Sequence, residues 1–150
     1  MIRVLLFLAI ASPAVAQNLP AFEGRWRGEG DLALGTEPLQ RFRCQLRLEP
    51  LRTGETFLVG RCATAQAHQS FAYLLSEDAD GTLHARQSDT ENDSLPVELL
   101  GTAAPGVLRL EGSHDALLEL RRADETLHFT IAGHDSRGPA RGEAVLERRE

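Results

Sequence analysis

Apolar and polar residues alternate with period two along most of this chain, in short stretches parted by Gly, Asp, Asn and Pro. The alternation is plain in Phe42, Cys44, Leu46 and Leu48, and again in Leu127, Phe129 and Ile131. A period of two puts such residues on one face of a strand. It predicts strands near Gly24–Leu34, Arg41–Glu49, Thr56–Ala65, Gln69–Ser76 and Thr82–Ser88. Further strands are predicted near Pro96–Thr102, Gly106–Glu111, Leu117–Arg121, Thr126–Ala132 and Ala140–Arg148. Asp78-Ala79-Asp80-Gly81 has the chemistry of a hairpin turn, because Asp-Gly favours positive φ. Ser113-His114-Asp115 and Ala123-Asp124-Glu125 are turns on the same grounds. No window holds a helical period beyond about two turns. Leu117–Arg122 admits a local helix, but its flanking turns favour a strand. The most polar stretch, Ser88–Ser94, reads as a solvated loop where the strand series changes direction. Without a repeat or a dividing linker, the expected fold is all-β. It is a single antiparallel up-and-down or half-open barrel of about 8–10 short strands, spanning residues 17–150.

The first sixteen residues read differently. One charge, Arg3, precedes the apolar run Val4–Ala11, which suits a secretory signal and is too short to span a bilayer as a helix. Ser12-Pro13 breaks that run, and Ala14-Val15-Ala16 supplies the small residues a signal peptidase requires. Cleavage is expected after Ala16, removing a signal helix that occupies residues 1–16. No Cys follows the run to carry a lipid anchor, and no twin-Arg pair precedes it, so the general secretory route is expected. The mature chain is then periplasmic or secreted, with no later segment apolar enough to span as a helix.

Cleavage leaves a modest single domain and moves the formal net charge from −6 to −7, since Arg3 leaves with the leader. An acidic domain argues against nucleic acid or anionic lipid as the main partner, because both reward a basic patch. All sixteen basic side chains are Arg, which reads as coding bias. The two cysteines, Cys44 and Cys62, both fall in the exported part. In an oxidising compartment two cysteines most simply form one disulfide. Spacing supports it: a three-residue loop Arg52-Thr53-Gly54, with Gly54 left-handed, centres a hairpin on Thr53. That register pairs 50 with 56 and, further out, 44 with 62, within bridging distance across adjacent strands. A free or metal-binding pair is the alternative, but two thiols alone make a poor zinc site.

Phe22-x-Gly24-x-Trp26-x-Gly28 stands at the head of the first predicted strand. It resembles the Gly-x-Trp signature of lipocalins and their calycin relatives, and the opening of small bacterial periplasmic proteins with a nearby Cys pair. The resemblance implies a barrel whose closed end is plugged by Trp26, with Arg148 of the last strand packed over the indole as a cation–π contact. Trp26, Gly28, Gly30, Leu32 and Leu34 share one face of the first strand, and Ala144, Leu146 and Arg148 share one on the last. Gly28 and Gly30 are expected to permit strong curvature; a dinucleotide loop would need a third Gly and a following helix.

No catalytic or metal motif stands out. The five His residues lack metal-ligand spacing. His84 and His128 lie at strand positions and are the two candidates for lining a cavity, with an ordinary strand histidine as the plainer reading. Ser113-His114-Asp115 and His134-Asp135-Ser136 contain triad letters, but neighbours in sequence cannot by themselves form the relay. Asp89, Glu91 and Asp93 alternate like calcium ligands, yet Ser94 replaces the central Gly of an EF-hand and Leu100 its closing Glu. The expected function is therefore non-enzymatic and needs no cofactor. The first reading is a barrel holding a small apolar or amphipathic ligand; its difficulty is that Phe42, Phe57, Phe71 and Phe129 could fill so short a barrel. The second is a protein-interaction module similar to the bacterial inhibitors of secreted metalloproteases, which use an N-terminal arm, here Gln17–Ala21. Gly60 and Ala72 would line a cavity; Leu19-Pro20 or Leu95-Pro96-Val97 would meet a protein partner.

Overall fold

The computed structural model describes residues 17–88 and 95–150. The predicted leader and Asp89–Ser94 of the polar loop, with Asp89, Glu91 and Asp93, lie outside the described residues. A short 3-10 turn, Leu19–Phe22, precedes ten strands: β1 Gly24–Leu34, β2 Gln40–Arg52, β3 Glu55–Ala63, β4 His68–Glu77 and β5 Thr82–Gln87. They continue as β6 Glu98–Ala104, β7 Val107–Glu111, β8 Leu117–Ala123, β9 Thr126–Asp135 and β10 Gly138–Arg149. Each strand pairs antiparallel with its successor, and β10 returns to pair with β1, so the sheet closes into an up-and-down barrel with no free edge. Ten strands exceed the eight of a lipocalin barrel.

All ten predicted strands are present, because alternation is the physical requirement of a wall with a core on one side. The limits shift where backbone chemistry intervenes. The ladder of β6 begins at Glu98, two residues after Pro96, whose ring nitrogen has no proton and whose carbonyl accepts from the Tyr73 hydroxyl at 2.6 Å. β3 stops at Ala63 because Thr64 N–H donates to Ala67 O at 2.8 Å and turns the chain. The predicted turns also form. Gly81 has φ +84°, Asp124 +54°, and His114 and Asp115 +56° and +55° in succession, the paired left-handed residues of a tight hairpin.

The β2–β3 hairpin reaches its predicted register by a different route. Thr53-Gly54 form a two-residue turn with Arg52 opposite Glu55, and a bulge at Leu51 restores Pro50↔Thr56 and Cys44↔Cys62. The two cysteines, 4.2 Å apart at Cα, form the disulfide. Cys62 faces inward, so parity sends Thr56, Leu58 and Gly60 inward and Phe57 outward. Phe57 therefore does not fill the barrel, contrary to the expectation. Phe42, Phe71 and Phe129 do, beside a large set of leucines.

β1 shows why its glycines are where they are. A Cβ on Gly28 would lie 2.0 Å from the carbonyl oxygen of Val145, and one on Gly30 1.8 Å from that of Glu143. The backbone of β10 occupies the space a side chain would take, which is the tight coiling that closes the barrel.

Candidate functional site

The two ends of the barrel are built from different residues. At the end where β1 begins, Trp26 is 1% exposed and its Nε1–H donates to the Phe22 carbonyl at 2.9 Å. The Arg148 guanidinium carbon lies 4.7 Å from the indole centroid, the contact the resemblance implied. Arg122 adds a second cation at 5.5 Å and donates to the Ala21 carbonyl, a contact not anticipated from sequence. The arm preceding β1 folds into the barrel: Leu19 and Phe22 are fully buried in the core. Its anchor is Glu77, whose carboxylate accepts from Asn18 N at 2.9 Å, Asn18 Nδ2 at 2.8 Å and Leu19 N at 3.1 Å. Leu19, offered by the sequence as a surface for a protein partner, is thus part of the molecule's own plug.

Among the described residues the opposite end is open. A cavity of about 300 Å³ lies between the ends of β1–β4 and β9–β10. Leu32, Leu34, Phe42, Phe71, Ile131 and Ala140 form its apolar walls, and Cys62 of the disulfide borders it. A Cβ on Gly60 would lie 2.0 Å from the Phe71 ring, so a glycine there leaves room for that ring among the cavity walls. The rim is polar. His134 Nδ1 lies 3.2 Å from the His114 carbonyl and 3.6 Å from Asp115 Oδ2, joining two hairpins. The two triad-lettered turns thus meet at the rim as a solvated contact. Arg137 pairs with Asp135 at 3.0 Å and with Glu37 at 3.7 Å, tying the β1–β2 loop to the β9–β10 hairpin. Asp135 is held below the usual carboxylate range, first by the Arg137 backbone N–H at 2.7 Å and then by its guanidinium.

Tyr73 closes the wall under β6. Its ring is buried, and desolvation pushes the phenol up to about 12. Leu95 packs against the core beside it, leaving Val97 exposed.

His84 and His128, the two histidines singled out from sequence, sit on the outer wall. Leu83 and Ala85 flank His84 and point inward, as do Leu127 and Phe129 around His128. His84 pairs with Asp78 at 3.2 Å on the surface. Ala72 also faces out, between Phe71 and Tyr73, and only Gly60 of the two small residues points in. Among the described residues no three His, Cys, Asp or Glu side chains converge as a metal site, and no helix is long and apolar enough to cross a membrane. Sequence reasoning missed Ile131 and Ala140 as cavity walls; the parity of Leu127, Phe129 and Ile131 was the available signal.

No protein-family model matches the chain, and no curated protein matches its sequence. Among solved structures, the crystal structure of Rv2717c from M. tuberculosis resembles it with a TM-score of 0.64 at 13% identity, over 91% of this chain and 100% of that one. At that identity the likeness is one of fold.

Proposed function

We propose that this protein is an exported, non-enzymatic binding protein that holds a small apolar or amphipathic molecule in the open mouth of its barrel. The observation that carries the reading is the 300 Å³ cavity with apolar walls and a charged rim. Ligand sites have this composition: apolar area drives entry, and a few polar groups at the edge orient the molecule. Its volume is at the small end of the usual range, so the ligand is small or inserts only an apolar tail. Export is supported by the disulfide and by the leader-like first sixteen residues. The sealed opposite end, with a Trp and a last-strand Arg, supports a lipocalin-like mode of binding.

A protein-interaction reading draws on a separate observation: Leu39 and Val97, on loops at the open end, are 65% and 64% exposed. One experiment separates the two. Native mass spectrometry of the mature protein from its own periplasm should show a co-purifying small molecule, absent from an Ala140→Trp variant that fills the mouth. A mass carrying a second protein would favour the loops instead. A clean unliganded mass together with failure to bind any neutral apolar probe would reject the cavity reading.

A further inference from the structure

The outer wall near the plugged end carries a charge distribution at odds with the chain's net acidity. Antiparallel register sets Arg149, Arg25 and Arg47 directly opposite one another on three adjacent strands, β10, β1 and β2. The next row outward from that end reads Glu147, Arg27, Gln45, Arg61 and Ser70. All of these but Glu147 border a shallow concavity of about 570 Å³, into which Arg25, Arg27, Arg47, Arg61 and Arg149 open, with Glu150 as the acid at its edge.

Elsewhere on the wall the arginines are matched. Arg41 meets Asp31 at 2.9 Å, Arg109 meets Glu119 at 2.8 Å, and Arg141 meets Glu143 at 3.0 Å. Within the concavity, Arg47 pairs with Glu49 at 3.2 Å and Arg149 reaches Glu147 only at 3.9 Å. Arg25, Arg27 and Arg61 make no ion pair with any described residue. Like charges placed directly across strands are destabilising, so three arginines in one row cost stability that the fold alone does not require. Exposed, unmatched guanidinium groups around a concavity have the geometry that takes phosphate oxygens two at a time.

We propose that this arginine-lined trough is a second binding site, for an anion carrying two or more phosphate groups. The width argues for more than one group: four strands at about 4.8 Å spacing place the outer arginines roughly 14 Å apart, more than one phosphate can bridge. The same chemistry is offered by a free oligophosphate and by a phosphorylated lipid headgroup. This site is separate from the mouth and does not depend on the ligand-binding reading above.

Titration calorimetry of the full mature protein with tripolyphosphate at low salt tests it. Saturable one-to-one binding is expected, weakening steeply as salt rises. Arg25→Gln/Arg47→Gln/Arg61→Gln should weaken it at least tenfold while melting no lower than the parent, since repulsion is relieved. The matched-arginine control Arg109→Gln/Arg141→Gln should bind as the parent does. The corresponding triple Lys variant should retain part of the affinity, charge being kept and bidentate geometry lost. Co-flotation with vesicles of phosphatidylcholine plus phosphatidic acid, but not phosphatidylcholine alone, would assign the source to a lipid headgroup; tripolyphosphate binding without flotation would assign it to a free anion. Absence of tripolyphosphate binding by the parent, or equal loss in the trough and control variants, would overturn the proposal.

Discussion

The barrel's two ends share the same ten strands and differ in everything that fills them. At one, the chain's own N-terminal arm is folded in, Trp26 is stacked under Arg148 and Arg122, and Glu77 gathers the N–H groups of Asn18 and Leu19. At the other, Leu32, Ile131 and Ala140 leave apolar surface facing a cavity that none of the described residues covers. A closed β-barrel has no edges to protect, so its ends are where it can be varied. One end is sealed by the chain's own side chains, and the other is the end for which we propose binding.

The largest expected effect falls on the sealed end. Trp26→Ala should lower stability by about 3–5 kcal/mol, as truncation of a buried large aromatic does. A loss below about 1 kcal/mol in chemical denaturation would mean the indole is not the plug. Next comes the staple beside the mouth. Cys44→Ser opens a bridge spanning 18 residues and should cost roughly 3 kcal/mol in the chain-entropy model. An unchanged melting temperature in the oxidised protein would remove its structural role.

Tyr73 gives a pH-dependent test. Its pKa is raised in the fold to about 12 from 10, so its contribution to stability is fully present below pH 10 and is lost as pH rises from 10 through 12. The loss amounts to about 2–3 kcal/mol once the phenol is ionised. As the chain's single Tyr, it can be followed by phenolate absorbance, which should lag well behind that of a free tyrosine. Half-ionisation at pH 10 would contradict its burial. The smallest effect is at the arm: Glu77→Gln should cost about 1–2 kcal/mol and speed amide exchange at Leu19, leaving β1–β10 protected. Equal acceleration throughout would show that the arm and barrel unfold as one.

The strands were legible because alternation is a local property. So was the disulfide, because hairpin register carries parity from the turn to Cys44 and Cys62. The Trp26–Arg148 contact was what the Gly-x-Trp resemblance implied, and the pairing of first strand with last brings the two residues opposite each other. Phe57 was misplaced although Cys62 already set its parity. His84 and His128 were similarly readable as outward from the leucines beside them. Other features had no local signal. The arm's docking depends on Glu77, 58 residues from Leu19. The arginine trough is assembled from strands at both ends of the chain, where net charge and composition are blind to placement. The mouth cavity is a matter of side-chain volumes left unfilled, which no pattern of polar and apolar letters encodes.

The asymmetry of the two ends is tested most directly by fluorescence titration with a neutral apolar probe, N-phenyl-1-naphthylamine, on the protein and two variants. Ala140→Trp fills the open mouth, and Trp26→Phe alters the sealed end. The expected result is one saturable site in the parent, lost in Ala140→Trp and retained in Trp26→Phe. Binding that survives Ala140→Trp, or no binding by the parent, would contradict the assignment of the open end as the binding end.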